Sequence, residues 1–468
     1  MKSEFLRKER KSTMYDGSEQ EIQENETTSR FGSIGWKSCL LLIVMLIGVF
    51  TTPLALFYRW YEARPVGSEE SFFEDDTEGI NRLAFVASDR KLVTVGPNGE
   101  DFRQLATLPN QLAFPAWSPD GSLLAITVGS NVYIMADVEA ASLNNEFESI
   151  YESSDLSPFY AYWSPDSTQL SFLTNHPEGL ALHLADVGAG RDAASIVALG
   201  QPFYWDWTQD SDQLLIHSGM LGSNARLALI DHQGNGADVA KPGFFHAPGI
   251  SASGELRAYA ALDESRTSQL IIQDVSGNQL ISEPHLGQVS LLWSPVDELL
   301  AISSPVSNSI ASYGPLRIVD PIKNEIRTLT SDNVVAYFWS PNGRSIAYFS
   351  FSNHDIGAVQ ALVPPGKNNH RARIQGQVDE LTMDLWIVDV DSQQKRLLLN
   401  FSPSRTFTHQ FLPFFDQYAL SHRIWSPQSN ALTVPILEEG VSHIAVVYLD
   451  RTEIKLLSSG EIAFWSQQ

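Results

Sequence analysis

Short apolar segments alternate with polar turns from residue 81 to the end of this chain. In the stretch Pro115 to Ile126, "PAWSPDGSLLAI", Ser118, Pro119 and Gly121 suit positions one, two and four of a type I turn. The "SLLAI" that follows has the length of a short buried strand bounded by turn signals. The pattern predicts β-strands joined by tight turns and favours no long amphipathic helix.

The same turn and strand recur along the chain. A degenerate copy has Ile250 in place of the tryptophan, and the final "AFWSQQ" begins another copy and stops. The spacings between the eight copies are 46, 44, 43, 43, 46, 86 and 40 residues, and such periods predict a repeat architecture. The tryptophans of the copies, which we expect to be structural, are Trp117, Trp163, Trp207, Trp293, Trp339, Trp425 and Trp465.

Each repeat holds about four strands, which is one blade of an all-β propeller. The tryptophans are expected to pack between neighbouring blades. Three strands over 82–107 have no preceding copy of the turn, and the C-terminal "EIAFWSQQ" supplies the missing strand, so we expect the C-terminal strand to close the ring. Counting copies predicts eight blades. Counts of seven or nine blades stay open because the 86-residue spacing between Trp339 and Trp425 contains extra segments over 353–381 and 403–422.

The repeated "WSPDG" or "WSPNG", followed by an apolar strand and then a strand of the "LWIVDVD" kind, resembles the WD40-like (PD40) repeat of TolB-type β-propellers. The resemblance covers 81–468 and implies the fold rather than a function. Proteins with such repeats include periplasmic partners of envelope complexes and the propeller half of prolyl-oligopeptidase-like peptidases. A peptidase of that kind needs a G-x-S-x-G nucleophile elbow, and the sequence contains none.

The N-terminal part has a different composition. Residues 38–58, "SCLLLIVMLIGVFTTPLALFY", carry no charge, and this length predicts a transmembrane helix, an uncleaved anchor rather than a cleaved signal peptide. We therefore divide the chain into a polar leader expected to be disordered (1–37), the transmembrane helix (38–58), an acidic tether (59–80) and the propeller (81–468). Lys and Arg concentrate before residue 38, so the N-terminus is expected in the cytoplasm and the propeller outside it, at the cell membrane.

The formal net charge is −24. Such an acidic chain should be soluble outside the membrane and should repel nucleic acid. The single cysteine, Cys39, lies in the apolar segment, so no disulfide is expected in the propeller, which fits a bacterial envelope protein.

Sequence motifs for catalysis are absent: the chain has no H-E-x-x-H, C-x-x-C, G-x-x-x-x-G-K or EF-hand loop. Asp120, Asp166 and Asp210 recur at the same turn, so a structural role is favoured. We predict no catalytic residue, metal ligand or cofactor.

Two non-repeating segments are the candidates for partner contacts. The first, Pro364 to Gln377, is basic and contains Lys367, His370, Arg371 and Arg373. It either docks an acidic partner or a membrane headgroup, or forms a solvated hairpin tip. The second, Phe407 to Tyr418, contains Phe411, Phe414 and Phe415, and either contacts a partner or packs as a strap over the end of a blade.

The leading hypothesis is a membrane-anchored extracytoplasmic propeller, a non-catalytic scaffold that binds a protein partner in or near the membrane, or a small ligand. The alternative is an envelope hydrolase or lyase with its site at the central channel. The enzyme hypothesis predicts that carboxylates or histidines converge at the channel mouth. A sensor is the weaker third option.

Overall fold

The computed structural model describes residues 81–108, 114–137, 147–190, 194–219, 224–307, 313–352, 381–451 and 453–467. All of them lie in one compact unit, Glu78–Gln468. Their strands form seven antiparallel sheets, of which six have four strands and one has six. We number each sheet as one blade of a β-propeller.

Blade 1 is the six-stranded sheet, in the order β28-β29-β30-β1-β2-β3. Its strands are β1 (Leu83–Ala87), β2 (Lys91–Val95), β3 (Arg103–Thr107), β28 (Ala431–Glu438), β29 (Val441–Tyr448) and β30 (Ile454–Trp465).

Blades 2 to 7 each contain four consecutive strands. Blade 2 has β4 (Ala116–Trp117), β5 (Leu123–Val128), β6 (Asn131–Ala136) and β7 (Glu148–Glu152). Blade 3 has β8 (Pro158–Trp163), β9 (Gln169–His176), β10 (Gly179–Asp186) and β11 (Ser195–Gly200). Blade 4 has β12 (Phe203–Trp207), β13 (Leu214–Ser218), β14 (Arg226–Ile230) and β15 (Gly236–Ala240).

The remaining blades follow the same plan. Blade 5 has β16 (Gly249–Ile250), β17 (Leu256–Leu262), β18 (Ser268–Asp274) and β19 (Gln279–Pro284). Blade 6 has β20 (Ser290–Trp293), β21 (Leu300–Ser303), β22 (Gly314–Asp320) and β23 (Glu325–Val334). Blade 7 has β24 (Ala336–Trp339), β25 (Ser345–Phe351), β26 (Met383–Asp389) and β27 (Lys395–Phe401). Helical turns occur between blade 7 and β28: a π-helix (Phe407–Phe411), a 3₁₀ turn (Leu412–Phe414) and α1 (Phe415–Ser421).

The prediction of eight blades is wrong, because the described strands form seven sheets. The difference arises at β30, whose first half pairs with β29 (Ile444↔Ser458) and whose second half pairs with β1 (Leu83↔Trp465). This one long strand joins the last repeat to the first, so the copies at Trp425 and Trp465 belong to a single continuous sheet. The pairing of β30 with β1 also closes the ring, as the sequence predicted.

The part of the chain that the structure describes contains no helix long and apolar enough to cross a membrane. The predicted transmembrane helix over 38–58, together with the leader and the tether on either side of it, lies outside the described residues.

The repeat tryptophans lie between blades and are all buried. Four of their indole N–H groups donate to the backbone carbonyl of the residue just before the equivalent tryptophan of an adjacent repeat. These bonds are Trp117 to Phe464 (3.2 Å), Trp163 to Ala116 (2.9 Å), Trp339 to Leu292 (3.0 Å) and Trp425 to Phe338 (3.1 Å). Each of these tryptophans therefore combines apolar packing with a directional bond between repeats.

The recurring aspartates hold the turns and link neighbouring blades. Asp120 accepts a hydrogen bond from the Ser118 hydroxyl (2.6 Å), and its backbone N–H donates to the Ser167 hydroxyl of blade 3 (3.1 Å). Asp166 repeats both contacts with Ser164 and Ser211. Burial tends to raise the pKa of Asp120, but the hydrogen bonds from Ser118 and Ser122 hold this pKa below its usual range. These contacts support the structural role expected for the aspartates.

Candidate functional site

The non-repeating segment Pro403 to His422, here called the plug, lies at the axis of the propeller. The first strands of adjacent blades contact one another, so these strands line the central channel. Helix α1 contacts four of them, β8, β12, β20 and β24. A helix of seven residues can reach strands from four blades only where those strands converge.

One side chain fixes the plug to an edge of blade 4. The Gln417 Oε1 accepts from the Trp205 N–H (2.9 Å), and the Gln417 Nε2 donates to the Trp205 carbonyl (2.9 Å). The amide thus pairs with both backbone groups of Trp205, as a neighbouring strand would. Tyr160 adds a second attachment, because its hydroxyl contacts the Gln417 carbonyl (3.0 Å) and the Ser421 hydroxyl (2.7 Å). Buried polar groups are stable only when they are paired in this way.

The structure separates the three phenylalanines predicted as contacts in the plug. Phe411 stacks on Phe338 with ring centroids 5.7 Å apart, and Phe415 packs edge-on against Tyr337 at 5.1 Å. Both are buried in the core, whereas Phe414 is 43% exposed. The segment is therefore a plug that packs in the channel rather than a strap over one blade, and Phe414 is the member of the three that stays accessible.

A cavity of about 610 Å³ lies between the plug and blades 2 to 4. Its volume falls within the range of small-molecule sites, roughly 300–1,000 Å³. Blades 2 and 3 contribute Phe114, Thr127, Gly129, Pro158, Phe159, Tyr160, Leu173 and Leu180. The connection into blade 4 contributes Gln201, Pro202, Phe203 and Tyr204, and the plug contributes His409, Gln410, Phe414, Gln417 and Tyr418.

The wall of this cavity has low polarity. Among its described lining residues there is no Lys, Arg, Asp or Glu. Burial raises the pKa of the Tyr160, Tyr204 and Tyr418 hydroxyls far above their usual range, so these phenols stay neutral at any physiological pH. The cavity therefore offers aromatic faces and neutral hydrogen-bonding groups.

Ionisable groups gather behind the wall. The Asp416 carboxylate lies 3.6 Å from the His246 Nδ1, and the His246 ring stacks on Tyr204 at 4.7 Å. His217 stacks on Phe245 at 4.2 Å, and burial lowers the pKa of His217 to about 4. Asp416 and His217 are enclosed, while the His246 side chain is 20% exposed. The convergence expected of a channel enzyme is thus partly met: the carboxylate–histidine pair lies behind the cavity lining, and the lining itself carries His409.

A first prediction concerns pH and the buried His422 of the plug. Burial lowers the pKa of His422 from about 6.5 to about 3. As the pH falls below about 6.5, His422 gains a proton in the unfolded chain but stays neutral in the folded protein until the pH approaches 3. Acidification therefore lowers the free energy of unfolding. This single group should reduce the free energy of unfolding by about 2 kcal/mol between pH 7 and pH 5. Denaturant unfolding at the two pH values measures the change.

The substitution His422→Gln should shrink this pH-dependent difference by about 2 kcal/mol. The control is His409→Gln, which alters an exposed histidine of the same segment and should leave the wild-type difference in place. A His422→Gln variant with the wild-type pH dependence would contradict the assignment.

The basic candidates Lys367, His370, Arg371 and Arg373 lie outside the described residues. The described chain on either side ends at Ser352 and resumes at Leu381, between β25 and β26 of blade 7. Because strands alternate in direction along a blade, the end of β25, the start of β26 and the starts of the first strands lie at one end of the propeller, which we call the entry end. The cavity and the plug lie at the same end.

Sequence reasoning missed the cavity, although the sequence contains a signal for it. Three positions before the repeat tryptophan, consecutive repeats have Phe114, Tyr160 and Tyr204, all of which line the cavity. The tripeptide Pro-Phe-Tyr occurs at 158–160 and again at 202–204, one period apart. Other repeats have Ala247, Ser290, Ala336, His422 and Ile462 at this position. Aromatic residues confined to three adjacent repeats mark one side of the channel.

No family model and no curated protein matches this chain. Among solved structures, it is similar to the dihydro-heme d1 dehydrogenase NirN in complex with DHE, with 11% identity and a TM-score of 0.50 over 82% of this chain and 75% of that one. A putative TolB from Agrobacterium tumefaciens has 13% identity and a TM-score of 0.34 over 69% and 88% of the two chains. Oligogalacturonate lyase in complex with manganese has 11% identity and a TM-score of 0.39 over 65% and 94%.

At these identities similarity shows the fold alone. The PD40 family assignment stays a prediction. The described chain is a β-propeller, and its solved structural neighbours include TolB and oligogalacturonate lyase propellers.

Proposed function

We propose that this protein is a non-catalytic binding propeller that uses the entry end, beside the plug, to hold a partner or ligand. The observation that carries the proposal is the cavity between the plug and blades 2 to 4. Its described wall is rich in aromatic residues and contains no Asp, Glu, Lys or Arg. General acid–base chemistry needs a titratable group within hydrogen-bond reach of the substrate. The histidine on the described wall, His409, contacts the Thr408 hydroxyl and the Arg405 carbonyl through its Nδ1 rather than a carboxylate. Binding needs only complementary shape and a few polar groups.

The plug supports the same proposal. It fills the axis of the propeller with buried aromatic side chains, among them Phe411 and Phe415. Its attachment through Gln417 holds it in a defined position. A rigid wall reduces the conformational entropy that the protein loses when it binds a partner.

Site-specific photo-crosslinking tests the proposal. Benzoylphenylalanine replaces Phe414, at the cavity, or Ile322, which is 71% exposed in the turn between β22 and β23 at the opposite end. In the source cells the full-length protein should form an adduct of defined mass, a protein or a small molecule, from position 414 and not from position 322. Equal adducts from both positions, or none from position 414, would reject the proposal.

The alternative of an envelope hydrolase or lyase is favoured by one observation, the pair formed by the exposed edge of His246 and the buried Asp416. A carboxylate that orients a histidine is a common arrangement in catalysis. If the protein is an enzyme of this kind, turnover of an ester or a uronic-acid polymer should be measurable and should fall at least about 100-fold in His246→Gln. Absence of turnover in the wild type removes this alternative.

A further inference from the structure

We propose that the cavity beside the plug binds an uncharged ligand with a flat aromatic or polycyclic ring system. The inference rests on the proposed binding function and specifies the ligand class of the same site. Its first support is the shape and composition of the wall. Phe114, Tyr160 and Tyr204 line the cavity from equivalent positions of three repeats, and Phe414 lines it from the plug.

The second support is apolar area left exposed at the cavity. Phe159 of blade 3 and Phe414 of the plug are 46% and 43% exposed, and both line the cavity. Exposed aromatic area of this kind is unfavourable in water and gains free energy when a ring covers it. The Tyr204 ring is 5% exposed and is fixed by stacking on His246 at 4.7 Å, so the part of it that lines the cavity is held in one position.

Charge selects against ionised ligands. A charged group that leaves water needs a partner of opposite charge. The described lining has no Lys, Arg, Asp or Glu, and its histidine, His409, is exposed with its Nδ1 against the Arg405 carbonyl. The negative charge of Asp416 behind the wall helps to raise the pKa of Tyr204, after the larger effect of burial. The same field opposes an anion in the cavity. The formal charge of the whole chain, −24, opposes the approach of an anion as well.

Hydrogen bonding to the ligand is limited to a few groups. Gln417 and Tyr160 are engaged with each other, with Trp205 and with Ser421. The other polar side chains on the described wall are Thr127, Gln201, Tyr204, His409, Gln410 and Tyr418, and the His409 Nδ1 already contacts the Thr408 hydroxyl and the Arg405 carbonyl. Such a wall suits a ring system with one or two hydroxyl, carbonyl or ring-nitrogen groups rather than a sugar with many hydroxyls.

Two fluorescent probes of nearly equal shape test the charge requirement. N-phenyl-1-naphthylamine is uncharged, and 8-anilino-1-naphthalenesulfonate has the same rings with an added sulfonate. The full-length protein should bind the uncharged probe saturably at one site, with a Kd at least about tenfold lower than for the sulfonate, a difference of about 1.4 kcal/mol. Equal or tighter binding of the sulfonate, or of the cationic dye thioflavin T, would overturn the inference.

Substitutions locate the probe. Phe414→Ala should weaken binding of the uncharged probe at least about fivefold, while the control Ile322→Ala, at the opposite end, should bind as the wild type does. Unfolding curves confirm that both variants are folded. Equal affinities in the two variants would place the probe elsewhere and overturn the inference. If position 414 crosslinks a protein partner while no probe binds, the ligand class is rejected and the binding function stands.

Discussion

Deleting residues 461–468 is expected to prevent the propeller from folding at 37 °C. The deletion removes the second half of β30, whose partners in β1 include Leu83 and Ala84. The ring then loses its closing strand, and β1 is left with an exposed edge. Soluble yield, gel filtration and circular dichroism of the full-length and shortened proteins measure the effect.

The expected size follows from buried aromatic side chains. Phe464 and Trp465 are each 1% exposed, and loss of a buried Phe or Trp costs about 3–5 kcal/mol. Two such losses approach the whole stability of an ordinary domain, about 5–15 kcal/mol. The Phe464 carbonyl also accepts the Trp117 indole N–H of blade 2, and its ring contacts Phe411 of the plug at 5.7 Å. The deletion therefore weakens blade 1, blade 2 and the plug together.

Matched substitutions separate the tryptophan ring from the strand. The Trp465 indole N–H has no hydrogen-bond partner among the described residues, so Trp465→Phe removes volume but no bond and should cost about 1–2 kcal/mol. Trp465→Ala should cost about 3–5 kcal/mol. Leu456→Ala, in the first half of β30 and 40% exposed, should stay within about 0.5 kcal/mol of the wild type. A shortened protein that unfolds cooperatively within about 5 °C of the full-length protein would refute the closure argument.

The repeat pattern predicted the local structure of the blades well. Spacing of the tryptophans located the first strands of blades 2 to 7, because five of the tryptophans end a short strand, such as β8 or β24, before a tight turn. In that turn the Ser118 hydroxyl and the Ser122 N–H donate hydrogen bonds to the Asp120 carboxylate, and such bonds depend only on neighbouring residues. Turns held by bonds of this kind can be predicted from the sequence.

The number of blades depended on a contact that is not local. Each repeat supplies about four strands, which is enough for one blade. The last repeat and the first form one sheet because β30 pairs with β29 in one half and with β1 in the other. The strand β30 runs without interruption through Gly460, so this glycine does not divide the two halves into separate strands. Pairing between strands distant in sequence follows from the assembled ring rather than from propensity.

The sequence identified the plug as a non-repeating segment but did not predict its position at the axis of the propeller. Its aromatic residues predicted either a partner contact or a strap over the end of a blade, and the structure buries Phe411 and Phe415 in the channel. They pack against first strands of the channel because blades 5 to 7 have residues such as Ala336 and Ser290 where blades 2 to 4 have aromatics. The smaller side chains leave room on one side of the axis, while Tyr160 and Tyr204 line the cavity on the other. Aligning the repeats column by column would have shown this asymmetry.

Replacing Gln417 with leucine should release the plug. Leucine has a similar volume but no polar atoms, so the N–H and carbonyl of Trp205, now bonded to the Gln417 amide at 2.9 Å each, would be left buried without partners. Each buried polar group that loses its partner costs about 1–3 kcal/mol. We expect Gln417→Leu to destabilise the plug by about 2–5 kcal/mol, in contrast to Gln410→Leu on the exposed face of the same segment, which should change stability by less than about 0.5 kcal/mol.

Hydrogen exchange measures this effect locally, because the plug can detach without unfolding of the blades. The amides of Thr408 and His422 donate to the Ser404 and Tyr418 carbonyls inside the plug and report its opening. In Gln417→Leu these amides should exchange at least about 30-fold faster than in the wild type, while amides in the middle of β17 and β18 keep their protection. The same substitution should weaken binding of the uncharged probe, because Gln417 and Phe414 lie on the same wall of the cavity. If the plug amides of Gln417→Leu and Gln410→Leu exchange at the same rate, the amide pairing does not hold the plug in place, and the rigid wall on which the binding proposal depends must have another source.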